Sequence, residues 1–250
     1  MLSPGEMLNV SEKCRDLERV VASMRQRVES YARLIQELFG DSGKALTVFG
    51  SVLIDGFNLE RDTVRSVLVV ERIELPLLRR LADRGAQLGK TGVAAPLIMT
   101  PHHIRTSLDT FPLELMEIQQ RHATLFGQDD FSALTFDNAH VRLQCERELK
   151  RTLIALRQGL LACAGRERLI PMMEKDAADD LARTLRGLLR LKGHKEYKNP
   201  VDLVTEIETL ADRKLPGVRT ALHPATPPGW ADFDRLYQDV EALGEIVNAW

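Results

Sequence analysis

The residues with the clearest chemical potential lie on either side of one loop. Gly50-Ser51 follows the apolar run Ala45–Phe49, and Asp62 precedes a second apolar run, Val67–Val70. A strand, a Gly-Ser turn and a second strand that begins near acidic residues is a pattern with which phosphoryl-transfer enzymes build a metal site, because carboxylates hold Mg²⁺. Here only one member of the required acid pair is found. The sequence therefore predicts phosphate chemistry at the turn, beside an incomplete metal site.

Short apolar runs predict the strands that position this turn. Ala45–Phe49 and Val64–Val70 are continuously apolar or nearly so, which is typical of strands in a covered sheet. Ala95–Thr100 predicts a third strand, with Pro96 at its edge or start. Phe111–Ile118 alternates apolar and acidic residues and predicts a fourth strand with one polar face. Thr100 is expected to be the N-cap of a short helix that begins at Pro101.

Helical periodicity dominates both ends of the chain. The first 40 residues predict one long helix that ends at Gly40, and the chain is helical in character from about Asp137 onward. Apolar residues there repeat every three or four positions in four stretches, which extend over 141–163, 177–189, 201–211 and 233–247. The predicted fold class is α/β (α+β), a small mixed sheet with flanking helices followed by a C-terminal helical bundle. The predicted domains are 1–135 and 136–250.

This order of elements resembles the nucleotidyltransferase superfamily of DNA polymerase β-like folds, whose bacterial members include aminoglycoside nucleotidyltransferases and minimal nucleotidyltransferases. The resemblance covers roughly residues 30–160. It implies that backbone N–H groups at Gly50 and the Ser51 hydroxyl hold a triphosphate oxygen. It also implies two carboxylates on one side of the next strand and a third from a neighbouring strand, which together hold two Mg²⁺ ions.

The acid pair that the resemblance requires is not complete in this chain. We call the three positions that correspond to the acid pair the acid slot. They are Thr63-Val64-Arg65 in one alignment and Asp62-Thr63-Val64 in the other, and neither contains two acids. In the first alignment a guanidinium replaces a metal-binding carboxylate and adds to the repulsion between two cations.

The candidate catalytic and metal-binding residues are Asp62 and Glu114, with Asp109 and Glu117 as weaker alternatives to Glu114. Arg142 and Lys150 are weaker candidates for phosphate contacts. Their charge-rich segment is equally typical of a solvated helix face with i,i+4 ion pairs such as Glu146–Lys150.

Bulk composition limits the function classes. The 250 residues carry 34 basic and 36 acidic side chains, which gives a net charge of −2. This balance does not predict a basic surface that binds nucleic acid. No stretch approaches the apolar length of a membrane span, and Met1–Lys13 lacks the pattern of a signal peptide. The three cysteines are far apart and odd in number, which predicts buried thiols in a reducing cytoplasm.

Three hypotheses about function follow. The first is a nucleotidyltransferase-like protein with impaired or lost two-metal catalysis, which binds a nucleotide or a partner protein. The second is an active enzyme that moves a nucleoside monophosphate from an NTP to a small-molecule or protein hydroxyl, with Mg²⁺ and NTP as cofactors. The third is an interaction protein whose long helices pair with a second copy as a homodimer.

Overall fold

The structure is a computed structural model that describes residues 14–194 and 200–248. These residues form two compact units. The first comprises residues 14–105 together with Ile118–Leu134, and the second comprises Thr106–Glu117 together with the described residues from Thr135 onward. In this division the segment 106–117 belongs to the helical unit. The proposal of separate domains at 1–135 and 136–250 stays a prediction.

The first unit contains a mixed four-stranded sheet and short helices. Its elements are α1 (Arg25–Phe39), β1 (Gly43–Phe49), β2 (Arg65–Val70), α2 (Leu75–Ala82), α3 (Gly85–Lys90), β3 (Leu97–Met99), α4 (Pro101–Thr106) and β4 (His122–Gly127). The strand order is β3-β2-β1-β4. β1 is antiparallel to both β2 and β4, and β2 is parallel to β3.

One face of the sheet packs on α1. The helix buries side chains at three- and four-residue spacing, and these join one apolar cluster with Leu46, Val48, Val64 and Leu68 of the sheet. The Tyr31 hydroxyl hydrogen-bonds to Ser66 Oγ at 2.9 Å, and burial raises the pKa of Tyr31 to about 12. Burial of these side chains fixes which residues of β2 face the helix.

The second unit is helical. Its elements are α5 (Pro112–Gln120), which ends within the range of the first unit, α6 (Asn138–Cys163), α7 (Ile170–Leu191), α8 (Pro200–Ala211), α9 (Pro216–Leu222) and α10 (Trp230–Asn248). α6 begins at an N-cap, because Asp137 Oδ1 accepts the Ala139 N–H at 2.8 Å. α9 is capped from another helix, because Asp239 Oδ2 of α10 accepts the Gly217 N–H at 2.7 Å. The apolar stripes of these helices share one core.

Most predicted elements are confirmed. The fold class is confirmed, and so are strands at β1, β2 and β3 and helices at α6, α7, α8 and α10. The predicted N-cap is also confirmed, because Thr100 Oγ1 accepts the His103 N–H at 3.1 Å. None of the helices in the described part of the chain combines the length and the apolar character that a membrane span needs.

Two predictions about elements are wrong, and two elements were missed. The segment Phe111–Ile118 is not a strand but lies largely in helix α5, because an apolar-acidic run this short also fits helical spacing. The N-terminal helix begins at Arg25, after 3₁₀ turns at Leu17–Arg19 and Ala22–Met24. Strand β4 and helix α9 were not predicted. The predictions for Met1–Lys13 and for a helix start at Asn199 lie outside the described residues.

Glu174 is a buried carboxylate in the helical unit. It lies on α7 with 2% of its surface exposed, and within the described residues neither carboxylate oxygen has a hydrogen-bond partner. Burial, together with the nearby charge of Asp232, raises the pKa of Glu174 to about 7, although Arg235 acts in the opposite direction. The folded state therefore favours the protonated carboxyl.

We predict that Glu174→Gln makes folding less dependent on pH. Since the pKa is raised on folding, the wild-type carboxyl contributes most stability below its ordinary pKa and loses that contribution as the pH rises toward 7. The free energy of unfolding of the variant relative to wild type should increase by about 1–3 kcal/mol between pH 5 and pH 8. Urea unfolding at both pH values measures this change. Glu241→Gln, at an exposed position of α10, is the control, and a difference that does not change with pH would contradict the prediction.

Candidate functional site

The Gly50-Ser51 turn stands at the end of β1, as the sequence predicted. Gly50 has a φ of 82° and opens a 3₁₀ turn, Gly50–Leu53. The turn is held from two sides, because the Gly50 N–H donates to Arg121 O and the Ile54 N–H donates to Ser51 O, each at 3.0 Å. Since L side chains rarely adopt this φ, glycine is the residue suited to this position.

Arg65 lies against the turn. It is the first residue of β2 and pairs with Phe49 in the antiparallel register. Its guanidinium carbon lies 4.8 Å from the centroid of the Phe49 ring, a cation–π contact. A Cβ atom on Gly50 would approach Arg65 Nη2 to 2.5 Å. The absence of a side chain at Gly50 therefore leaves the space that the guanidinium occupies.

The other residues of the acid slot do not supply the missing carboxylate. Val64 and Ser66 are buried on the α1 side, where Ser66 bonds to Tyr31. Thr63 is exposed and carries no charge. Glu60, two residues before Asp62, is an exposed loop residue whose N–H donates to Asn58 Oδ1. The start of β2 thus presents a cation beside the Gly-Ser turn.

Asp62 closes the loop that precedes β2. Its Oδ2 accepts the Asn58 N–H at 2.9 Å, and its own N–H donates to Asn58 O at 2.7 Å. Both bonds stabilise the five-residue turn Asn58–Asp62. The structure therefore gives this half-buried carboxylate a local structural partner, and its predicted catalytic and metal-binding role stays a prediction.

Glu114 lies on helix α5 in the second unit, which corrects its expected place on a strand of the sheet. Its Oε2 accepts a bond from Gln144 Nε2 at 2.7 Å, and Arg183 Nη1 lies 3.8 Å from Oε1. Gln144 Oε1 in turn accepts the Leu113 N–H at 2.8 Å near the start of α5. Asp62 and Glu114 belong to different units, so the argument from adjacent strands no longer connects them.

The weaker candidates are likewise engaged in local contacts. Glu117 is paired with Arg183 at 3.2 Å, and Asp109 Oδ1 accepts the Thr110 hydroxyl at 2.9 Å. Arg142 and Lys150 both pair with Glu146 on α6, at 3.5 and 2.5 Å. These two contacts are the i,i+4 pairs of a helix face, one of the two readings that the sequence left open.

A two-metal site does not fit the side chains around the turn. Across residues 14–194 and 200–248, no group of three or more His, Cys, Asp or Glu side chains is placed to hold a metal ion. Two Mg²⁺ ions held close together need several carboxylates to offset their mutual repulsion. The guanidinium of Arg65 lies against the turn, and its charge is opposite in sign to that of a metal ligand.

A polar cluster on β4 was missed by sequence reasoning. His122 pairs with Phe49 in the sheet register, and its Nε2 lies 3.1 Å from both carboxylate oxygens of Asp129. Ser132 Oγ donates to Asp129 Oδ2 and lies 3.3 Å from the same ring nitrogen. Nδ1 faces the backbone carbonyls of Ile118 and Gln119. The seven-residue separation of His122 from Asp129 gave no recognisable signal, because the contact depends on the turn after β4.

This cluster is not arranged as a nucleophilic triad. In a triad the histidine contacts the nucleophile with one ring nitrogen and the carboxylate with the other, whereas both Ser132 and Asp129 contact Nε2 here. Partial burial alone would raise the pKa of Asp129, but hydrogen bonds from Ser132, Phe131 and His122 hold it well below its ordinary value. The cluster fixes the loop 129–134, to which Gln119 Nε2 adds a 2.7 Å bond to Leu134 O.

Comparison with known proteins identifies the fold. No protein-family model and no curated protein matches the sequence. Among solved structures, the chain is similar to spectinomycin adenyltransferase from Enterococcus faecialis with ATP and spectinomycin, with a TM-score of 0.56 and 10% sequence identity. The match covers 89% of this chain and 98% of that chain. At this identity the likeness shows the fold alone, which is a nucleotidyltransferase fold, as the sequence resemblance predicted.

We predict that Asp129→Asn destabilises the first unit. The variant weakens charge-assisted bonds to Ser132 and His122, which should lower the free energy of unfolding by about 1–3 kcal/mol at pH 7. Because the pKa of Asp129 is lowered on folding, its contribution is present above the ordinary aspartate pKa and declines as the pH falls below it. The loss measured by urea unfolding should therefore be smaller at pH 3 than at pH 7. Asp130→Asn is the matched control and should cost little, since burial raises the pKa of that carboxyl.

We also predict that Gly50 and Arg65 are energetically coupled. Gly50→Ala strains the backbone and displaces the guanidinium, so it should cost about 1–3 kcal/mol, whereas in the Arg65→Ala background it should cost about 0.5–1 kcal/mol less. Gly56→Ala is the control, since its φ is also positive but a Cβ there meets nothing within 4 Å. Chemical denaturation of the single and double variants measures the Gly50–Arg65 cycle and the Gly56–Arg65 control cycle. Additive losses in the Gly50 cycle would contradict the contact.

Proposed function

We propose that this chain is a nucleotidyltransferase-fold protein that has lost two-metal catalysis and binds the phosphates of a nucleotide at the Gly50-Ser51 turn. The observation that supports the proposal is the position of Arg65, whose guanidinium lies against Gly50 and over Phe49. In this proposal the guanidinium supplies the positive charge that metal ions supply in active members of the fold. The bound ligand would then be a nucleotide without its metal.

Electrostatics favours this substitution. A guanidinium is permanently charged and carries N–H donors in a planar fork that matches two phosphate oxygens. The cation–π contact with the Phe49 ring restrains the Arg65 side chain, which limits the rotamer entropy lost on binding. The same charge repels a divalent cation at this position, by about 4 kcal/mol per unit charge at 4 Å in an effective dielectric of about 20. A phosphate and a divalent cation would therefore compete for the position beside the Arg65 guanidinium.

The same arrangement argues against phosphoryl transfer. In a two-metal reaction one ion activates the attacking oxygen and the other stabilises the leaving oxygen. A guanidinium can neutralise phosphate charge, but it neither lowers the pKa of an attacking hydroxyl by coordination nor accepts its proton. Asp62, the last acidic residue before the start of β2, accepts a hydrogen bond from the Asn58 N–H. The proposal is thus one of binding without turnover.

The alternative function is an active nucleotidyltransferase that moves a nucleoside monophosphate from an NTP to a small-molecule or protein hydroxyl. The fold shared with an adenyltransferase favours it. Ser51, Asp62 and Glu114 would then act with Mg²⁺ recruited by the nucleotide. Transfer of label from a radioactive NTP, lost in Glu114→Gln, would support this alternative and contradict the first proposal.

Three unpaired cysteines also support a location in a reducing compartment, and we infer the cytoplasm. Cys145 and Cys163 are buried and Cys14 is half-buried. Burial raises the pKa of the Cys145 thiol to about 12, which keeps it protonated and unreactive.

Calorimetric titration with ATP in the presence of EDTA tests the proposal. Wild-type protein should bind, and Arg65→Ala should weaken the affinity by about tenfold or more, because a charge-assisted bond to phosphate is lost. Arg61→Ala is the matched control, since Arg61 is exposed in the preceding loop, and it should change the affinity little. Absence of binding by the wild type, or equal affinity of wild type and Arg65→Ala, would contradict the proposal.

A further inference from the structure

Three arginine residues from different parts of the first unit approach the Gly50-Ser51 turn. Arg65 is the first residue of β2, Arg121 directly precedes β4, and Arg25 is the first residue of α1. The proposed function uses only Arg65. The other two residues are connected to the turn by hydrogen bonds of the main chain.

Arg121 is connected to the turn through its own carbonyl group. The Gly50 N–H donates to the Arg121 carbonyl at 3.0 Å, and the next residue, His122, pairs with Phe49 in the antiparallel register of β1 and β4. Arg65 pairs with the same Phe49 from β2. The main chains of Arg65 and Arg121 therefore flank the end of β1 on its two sides. Both side chains are half-buried at this end of the sheet.

Arg25 approaches the turn from the segment that precedes α1. Within this segment the Val21 N–H donates to the Val52 carbonyl of the turn at 3.0 Å. Arg25 Nε donates to the Val20 carbonyl at 2.9 Å, and Arg25 Nη2 donates to the Glu18 carbonyl at 2.7 Å. These carbonyl groups fix the guanidinium without neutralising its net charge. In the described part of the chain, no carboxylate forms an ion pair with it.

A nucleotide that binds without metal needs more than one cation from the protein. Each phosphate group carries at least one negative charge, and bound Mg²⁺ otherwise offsets the repulsion between neighbouring phosphates. A single guanidinium offsets only one of these charges. If Arg65 takes the place of metal ions, further cations beside the turn are therefore required for a chain of phosphates.

We infer that Arg25 and Arg121 bind phosphate groups together with Arg65, and that the ligand is a nucleoside diphosphate or triphosphate. This inference rests on the proposed function, which places the phosphates of a nucleotide at the Gly50-Ser51 turn. Arg65 contacts the phosphate beside Gly50, and Arg25 and Arg121 contact the remaining phosphates. A guanidinium suits this role, because its planar N–H fork donates two hydrogen bonds to phosphate oxygens.

Calorimetric titration with ATP, ADP and AMP, in EDTA and at constant ionic strength, tests this inference. Wild type should bind ATP about tenfold or more tightly than AMP. Arg25→Ala and Arg121→Ala should each weaken ATP binding by about threefold to tenfold and change AMP binding little, because AMP lacks the outer phosphates. Arg25→Lys and Arg121→Lys retain the charge and should recover most of the affinity for ATP.

Arg33→Ala is the matched control. Arg33 is an exposed arginine farther along α1, and its guanidinium is paired with Glu29 at 2.6 Å. The variant should bind ATP with the affinity of wild type. Circular dichroism shows whether each variant folds, since Arg25 also bonds to the segment that precedes α1.

Failure of this inference differs from failure of the proposed function. If Arg65→Ala weakens ATP binding but Arg25→Ala and Arg121→Ala bind as wild type does, the inference is wrong and the proposed function stands. Equal affinity of wild type for AMP and ATP would also overturn the inference. If wild type does not bind ATP at all, the proposed function itself fails. Should Arg25→Ala not fold, unchanged ATP affinity in Arg121→Ala would still be decisive against the inference.

Discussion

The antiparallel register of β1 and β2 is the constraint on which the candidate site depends. It pairs Val48 with Ser66 and Phe49 with Arg65, and successive side chains point to opposite faces. A slip of one residue would turn Arg65 toward α1 and Ser66 toward the opposite face. The register is held by buried side chains on both strands and by the bond from Tyr31 to Ser66. The hydrophobic core thus decides that a guanidinium lies beside the Gly-Ser turn.

In the helical unit, buried carboxylates accept hydrogen bonds from backbone N–H groups. Asp239 of α10 accepts N–H bonds from Gly217 and Val218, and Glu208 of α8 accepts the Leu215 N–H and pairs with Arg219. These carboxylates satisfy backbone groups at the start of α9, so the desolvation cost of burying them is offset by hydrogen bonds. Glu174 lacks such partners in the described residues. The bundle is therefore stabilised by carboxylates that cap α9, whereas the Glu174 carboxyl favours its neutral form.

How much of the structure the sequence predicts depends on the range of the interactions. Long apolar stripes predicted α6, α7 and α10, because many residues contribute to one periodic pattern. The segment at Phe111–Ile118 was assigned wrongly because eight residues fit either period. Its helix is favoured by a distant partner, Gln144, which accepts the Leu113 N–H. Helix α9 was missed for the same reason, since its cap lies on α10.

The candidate site shows the same division between local and distant information. The Gly50-Ser51 turn, and the prediction that the acid pair before β2 is incomplete, came from the residue spacing alone. The contact of Arg65 with Phe49 required the strand register, and the cluster of His122 with Asp129 and Ser132 required the turn after β4. The likeness to an adenyltransferase shows the fold alone, whereas the chemistry of the turn depends on these individual side chains.

Whether Arg65 takes the place of metal ions at the Gly50-Ser51 turn, as we propose, can be decided from how the affinity for ATP depends on Mg²⁺. The measurement is the Kd for ATP by calorimetry, with EDTA and with saturating Mg²⁺, for wild type and for Thr63→Asp combined with Arg65→Asp. Wild type should bind ATP at least as tightly without Mg²⁺ as with it, and the double variant should bind ATP only with Mg²⁺. Binding of ATP by wild type only in the presence of Mg²⁺ would contradict the proposed role of Arg65.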